Sequence, residues 1–366
     1  MAYTEKYVTV TGGGLHDGSS EANSWTLTEA LSAVVGDRVN VKAGTYVIGS
    51  TINFSTQSGS TTNHFALRGY KTTIGDMDGI PTTVLVPGTD IPLVETPSSS
   101  YYFMVSASHA CVNNMAFDNQ AWVQRVYMRS IGGLVTRCQF ESSGGYPALM
   151  MDGGNQYSTV NECYFHATGT APATLVAANG SECFFGCVFD GGVSAFTSTL
   201  RFRSFFNCLF MNQTGNCLPN NGYGWCPILS CTFYNIGLDA INATATTTAP
   251  QMVMNNVFHT VGGYAVGNSG TGIFQVRNNL IYNVTSGIMQ TNDWDLQAEN
   301  ITDASDPFVD TAGGDYRLVS ASGGYGKAAA QKMPHTLVES KKDIGAFQHD
   351  DPSSSGGGST FHPLAQ

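Results

Sequence analysis

The chain has 366 residues, of which 12% are charged, against about 25% in an ordinary soluble domain, and 42 are glycine. Sixteen Lys and Arg against 27 Asp and Glu give a formal charge of -11. This composition excludes a helical bundle, which would be rich in Ala, Glu, Lys and Leu; with 42% hydrophobic and 11% aromatic residues, it also excludes a disordered tail protein.

No lysine lies between Lys71 and Lys327, so neither nucleic acid nor an anionic membrane surface is an expected partner. The start, MAYTEKYVTVTGGG, lacks a signal-peptide pattern, and no run of 18 apolar residues occurs anywhere. Nine cysteines without a CxxC pair read as buried thiols of a protein folded in a reducing cytoplasm.

After an arm over residues 1–22, NSWTLTEALSAVVG (23–36) predicts a short capping helix. Thr26 and Glu29 have capping-box spacing, Leu27, Ala30, Leu31 and Val34 share one face, and Gly36 can end the helix. DRVNVKAGTYVI follows, with Val39, Val41 and Ala43 alternating as in a strand. HFALRGY (64–70), TTVLV (82–86) and YYFMVS (101–106) are further strand candidates.

From residue 112 the chain repeats itself. VNNMAF, VTRCQF, VNECYF, FFGCVF, FFNCLF, ILSCTF, VMNNVF and VRNNLI close on Phe117, Phe140, Phe165, Phe189, Phe210, Phe233, Phe258 and Ile281. The intervals are 23, 25, 24, 21, 23, 25 and 23 residues, a solenoid period. β-Branched and aromatic runs bounded by Gly, Asn and Ser argue for strands rather than helical repeats. The expected fold is all-β: a single-domain right-handed parallel β-helix of about 23-residue coils over 37–290. A closing segment (291–349) and a Gly/Ser-rich tail (350–366) that contacts a partner complete it.

Two residues before each closing position runs a column of Met115, Cys138, Cys163, Cys187, Cys208, Cys231, Asn256 and Asn279. Metal ligands converge on a point and this column is linear, so Cys138 to Asn279 read as a structural ladder and no metal site is expected. Cys217 and Cys226 remain a candidate pair. Asn119, Asn212, Asn235 and Asn283, two residues after the closing position, read as turn residues.

The residue just after each closing position points outward, giving Asp118, Glu141, His166, Asp190, Met211, Tyr234, His259 and Tyr282. Glu141 and Asp190, about 10 Å apart on stacked coils with His166 between them, are the acid–base candidates should the chain be an enzyme. Asp118, Tyr234 and Tyr282 are carbohydrate-binding candidates. GDMDG (75–79) lacks the later ligands of a calcium loop and reads as a turn; TGGGLHDG (11–18) lacks the Lys of a phosphate loop. NAT (242–244) and NVT (283–285) match the glycosylation pattern.

The helix followed by DRVNVKAGTYVI, the coils, and the closing DPFVDTAGGDYRLVSAS and DIGAFQ resemble the pectin-lyase-like superfamily over residues 22–348, its phage-borne β-helix proteins included. The calcium-cluster and basic residues of its lyases have no equivalent here: the repeats carry no lysine and only Arg125, Arg129, Arg137, Arg201, Arg203 and Arg277. Its hydrolases' NTD and DD signatures are absent too; Asp350–Asp351 lies in the tail and TNDWD (291–295) after the repeats. The resemblance therefore implies a virion component, a head decoration, spike or fibre subunit. Such a protein folds in the host cytoplasm, assembles as a homo-oligomer, by analogy a trimer, contacts other virion proteins and host glycans, and needs no cofactor. The alternatives are an extracellular polysaccharide lyase or glycoside hydrolase, and a bacterial surface adhesin.

Overall fold

The computed structural model describes residues 3–55, 57, 64–78, 80, 82–97, 101–119, 126–128, 131–143, 148–151, 158–168, 174–176, 182–196, 203–220, 226–243, 251–268, 270, 273–290, 296–328 and 343–346. The sequence reads as one domain; the structure divides into two compact units, Met1–Thr199 and Leu200–Gln366.

In the first unit three parallel sheets stack coil on coil. The first sheet runs through Thr4–Val8, Asp37–Lys42, Ala66–Tyr70, Cys111–Asn113, Leu134–Thr136, Thr159–Asn161 and Cys183–Phe185. The second takes Gly44–Val47, Pro92–Glu95, Ala116–Asn119, Gln139–Ser142, Tyr164–Ala167 and Val188–Gly191. The third takes Ile52–Phe54, Phe103–Val105, Val126–Met128, Leu149–Met151 and Thr174–Val176. Parallel strands joined by crossovers wind right-handed, so the coils form a right-handed parallel β-helix.

The second unit repeats the plan. Its first sheet holds Ser204–Phe206, Ile228–Leu229, Gln251–Met254, Phe274–Arg277 and Leu296–Ala298. Its second holds Leu209–Met211, Thr232–Ile236, Val257–Val261, Leu280–Val284 and Ile301–Thr302, and its third Leu218–Asn220, Ile241–Ala243 and Val266–Asn268. An antiparallel hairpin, Phe308–Asp310 with Asp315–Leu318, follows.

The closing residues are the core. Phe117, Phe140, Phe165 and Phe189 stack at centroid distances of 5.2, 5.0 and 4.8 Å with planes within 11°. Phe210, Phe233 and Phe258 do the same at 4.8 and 4.9 Å. One ring per coil thus meets the strand spacing of about 4.8 Å. The coil bends sharply before it: Asn114, Arg137, Glu162, Gly186, Asn207, Ser230, Asn255, Asn278 and Glu299 all have φ between 51° and 58°. Asn212, Asn235 and Asn283 are left-handed as well, with φ of 60°, 54° and 52°, as their turn reading requires, whereas Asn119, read with them, ends the strand Ala116–Asn119 and pairs with Ser142.

The ladder residues follow the bend and face inward. Cys138, Cys163 and Cys187 direct Sγ to the Val112, Val135 and Val160 carbonyls of the preceding coil at 3.7, 3.6 and 3.5 Å. Asn256 and Asn279 donate from Nδ2 to Ile228 O and Val253 O at 2.9 and 3.0 Å, the same phase of the coil. Thiol and amide are alternative donors to one carbonyl position. Burial pushes the Cys138 thiol well up. All nine cysteines, Cys217 and Cys226 included, carry thiols. Because a thiol is a weak donor and a small side chain, Cys163→Ala is expected to cost only about 1 kcal/mol in urea unfolding.

The capping helix expected over 23–36 does not form. Among the described residues the helical pieces there are two 3₁₀ turns, Glu21–Asn23 and Glu29–Ser32. The capping box itself is present: Thr26 N donates to Glu29 Oε2 at 2.7 Å and Glu29 N to Thr26 Oγ1 at 3.3 Å. It nucleates a turn that cannot propagate, because Asp37 Oδ2 captures Val34 N at 2.9 Å and Val34–Val35 are β-branched. Val34, assigned to the apolar face, is 60% exposed. TTVLV is no strand either: Thr82–Val84 is a 3₁₀ turn in an excursion that leaves the coil at residue 71 and rejoins it at 91.

Candidate functional site

With a phenylalanine inward at each coil of the second sheet, the next residue must face outward. Strand register aligns Glu95 with Asp118, Asp118 with Glu141, Glu141 with His166 and His166 with Asp190. Sequence periodicity thus places four of these residues on one strip, and the structure adds Glu95. Glu95 escaped because its coil, IPLVE, carries Val94 instead of phenylalanine at the closing position.

Within the strip His166 Nδ1 lies 3.5 Å from Glu141 Oε1, and both side chains reach solvent. The hydrogen bond to His166 holds the Glu141 carboxyl below its usual range, and the same bond raises the His166 imidazole above 6.5. Tyr164, two residues before His166 and on the same face, donates its hydroxyl to Asp190 Oδ2 at 3.1 Å. Its ring lies within 9° of the His166 plane. Burial, then the Asp190 charge, push the Tyr164 phenol well up, so it remains a donor. The set offers an imidazole, its protonated form favoured by Glu141, between two carboxylates, the groups needed to give a proton and to orient a water.

The excursion 71–91 walls one side of the strip. Met77, Leu85 and Ile91 pack on Ala116 with Ile80 and Leu93. Gln139, the strand neighbour of Tyr164, donates Nε2 to Thr82 O at 2.5 Å and Leu85 O at 2.8 Å. Arg137, 8% exposed, donates to the Met77 carbonyl and to Ile80 O at 2.6 Å. Thr82 Oγ1 donates to Glu162 O at 2.7 Å.

GDMDG is structural here. Asp78 pairs with Arg68 and accepts from Asn114 Nδ2 at 3.0 Å. Asp76 accepts the amides of Lys71, Thr72 and Thr73 at 3.0, 2.7 and 2.9 Å. Partial burial raises the Asp76 carboxyl, but these amides outweigh it and hold it at about 2. A depressed folded value stabilises the turn above the unfolded value near 3.8, and that contribution is lost as pH falls through about 2. Hydrogen exchange at 71–76 should therefore stay slow at pH 5 and accelerate selectively between pH 4 and 2.

In the second unit the corresponding column is covered. Tyr234 is in register with His259 and His259 with Tyr282. Phe308 stacks on His259 at 5.0 Å, Tyr316 packs on Tyr234 at 5.1 Å, and Tyr316 OH contacts Met211 S at 3.7 Å. His259 lies 3.1 Å from Asp306 and is 4% exposed; burial lowers its imidazole below the usual value, against the Asp306 charge. Tyr234 and Tyr282 are half-buried, their rings packed on this histidine. Asp118, Glu141, His166 and Asp190 share one strip; Tyr234 and Tyr282 belong to the other unit.

Arg203 is fully buried and Arg277 pairs with Glu299 at 3.2 Å. Arg125, Arg129, Arg201, TNDWD, Asp350–Asp351 and the tail lie outside the described residues. Among the described residues no group of three or more His, Cys, Asp or Glu could hold a metal ion, and no helix is long and apolar enough to cross a membrane.

The parallel β-helix is the class of fold to which the chain conforms. It is similar to the crystal structure of pectate lyase Pel9A at 16% identity, with a TM-score of 0.73 over 94% of this chain and 96% of that one. Other similar structures are a rhamnogalacturonan lyase, 11% identical with a TM-score of 0.48 over 84% and 91% of the two chains, and a family PL6 polysaccharide lyase of Pseudopedobacter saltans, 12% identical with a TM-score of 0.43 over 87% and 97%. No family model and no curated protein matches the chain. The likeness to Pel9A is one of fold, a parallel β-helix, and the expected phage relationship finds no support among the similar structures.

Proposed function

We propose that the chain is a carbohydrate-active enzyme that hydrolyses a glycan lying on the strip of the first unit. The observation that carries this reading is the Glu141–His166–Asp190 set, on three successive rungs, open to solvent, with Tyr164 on Asp190. His166 gives its proton to the leaving oxygen, Glu141 favours the charged imidazole before transfer, and Asp190 or Asp118 takes a proton from the water as its oxygen bonds the sugar carbon. Hydrolysis is favoured over elimination because Glu95, Asp118, Glu141 and Asp190 would repel a polyuronate, and among the described residues no Lys or Arg stands in register with them. Polysaccharide elimination is the second reading, favoured by the likeness to pectate lyase Pel9A along nearly the whole chain.

A panel of neutral, amino-sugar and uronate polysaccharides separates these readings. New reducing ends without an unsaturated sugar mean hydrolysis, and an unsaturated, ultraviolet-absorbing end means elimination. Neither product from any polymer refutes both.

A further inference from the structure

We infer that the hairpin Phe308–Asp310 with Asp315–Leu318 is an acid-released cover, latched to the coils of the second unit through His259. His259 sits in the middle of the covered column. Tyr234 and Tyr282 flank it from the coils on either side at ring distances of 5.1 and 4.8 Å, and Phe308 lies over it with 23° between planes. Tyr316 braces Phe308 edge-on at 5.6 Å and rests on Tyr234.

Hydrogen bonds fix the enclosed imidazole in its neutral form. Nε2 lies 3.1 Å from Asp306 Oδ1, and because a carboxylate accepts, Nε2 carries the proton. Nδ1 then accepts from Thr260 Oγ1 at 2.9 Å, and that hydroxyl in turn accepts from Asn283 Nδ2 at 3.3 Å. Asp306 Oδ1 also receives the Phe308 amide at 2.9 Å, so one oxygen ties the start of the hairpin to the imidazole. A solvent proton added at Nδ1 would turn the Thr260 hydroxyl round and leave a charge out of reach of water. Two effects then oppose each other. The Asp306 charge favours the imidazolium, but its side chain is 42% exposed and water screens it. Burial disfavours the imidazolium and prevails, holding His259 below its usual value. Lifting the hairpin wets the ring, so the open form takes the proton more readily than the closed one. The closed form keeps its full advantage above about pH 6.5 and loses it as pH falls toward the lowered value. Release uncovers Tyr234, His259 and Tyr282, one ring per coil.

The test is hydrogen exchange in the full chain between pH 7 and 5, read as protection after correction for the intrinsic rate. Below pH 6.5, protection over 308–318 should fall by up to about tenfold per pH unit, while Val257–Val261 and Leu280–Val284 keep theirs. His259→Phe keeps a ring under Phe308 and removes the titration, so its hairpin should show no such fall. Constant protection in the parent, or protection that grows because the imidazolium grips Asp306, overturns the inference. A fall that persists in folded His259→Phe does the same, since another group would then release the hairpin. If that variant does not fold, the NMR titration of the His259 ring in the parent decides. A midpoint below 6.5 that tracks the loss of protection supports the latch, and one at or above 6.5 overturns it.

Discussion

Glu141→Gln and His166→Ala are each expected to lower kcat for glycan cleavage by about 10²–10⁴-fold, the usual loss on removing a positioned acid or base. Both side chains face solvent, and neither packs into the phenylalanine stack, so thermal unfolding should stay near that of the parent. The pH profile carries more information than the rate. Turnover in the proposed scheme needs Glu141 ionised and His166 protonated. Glu141 titrates below its usual range, and His166 above 6.5. Activity should therefore rise on the acid side through the lowered Glu141 value and fall on the alkaline side through the raised His166 value. Residual activity of Glu141→Gln should show an alkaline limb displaced to lower pH, because the neutral amide no longer holds the imidazolium. A limb that stays in place would remove His166 from the proton donor's role.

The contrast between the two units gives the strip its meaning. Each has an outward column one residue after the stacked core ring. In the second unit that column is Met211, Tyr234, His259 and Tyr282, and the hairpin residues Phe308 and Tyr316 pack against it. In the first it is Glu95, Asp118, Glu141, His166 and Asp190, and the excursion 71–91 stops beside it, on Ala116 and Gln139. Burying four carboxylates under a chain segment would cost several kcal/mol each unless they were paired. The charged column therefore stays open where the aromatic one is closed.

Periodicity made the coils, the inward rings and the outward strip legible, because a repeated phase in sequence becomes a repeated position in space. The asparagine turns after the closing residue were legible, but the left-handed bend before the ladder was not. The left-handed bend falls on Arg137, Glu162, Ser230 and Glu299 as readily as on asparagine, and Arg and Glu carry no turn signal. The capping helix failed because its box was real while its continuation was decided by Asp37, a strand residue fourteen positions past Asn23. Tyr164 was hidden because its partner Asp190 lies on the next coil, and the diagonal contact belongs to neither column. The hairpin over Tyr234 was hidden too, since no repeat links residues 306–318 to the coils they cover.

The ladder yields the second large effect, on stability. Asn279 is fully buried. Its Oδ1 accepts Asn256 N at 2.9 Å and Asn256 Nδ2 at 3.0 Å, and its Nδ2 donates to Val253 O and Asn300 Oδ1, both at 3.0 Å. Asn279→Ala removes a partner from four groups at once; Asn256 Nδ2 keeps Ile228 O and the half-buried Asn300 Oδ1 keeps Asn279 N, while Asn256 N loses its side-chain acceptor inside the core. A buried group left without a partner costs about 1–3 kcal/mol, so the expected total is about 2–4 kcal/mol. Asn279→Cys should fall between alanine and the parent. Its thiol can serve Val253 O as Cys187 serves Val160 O at 3.5 Å, but it offers Asn256 only a weak acceptor. Hydrogen exchange over 251–302 locates the loss, and urea unfolding followed at the same segment measures it. If alanine and cysteine prove equally mild, the asparagines merely fill a corner, and hydrogen bonding along the stack does not hold the coils together.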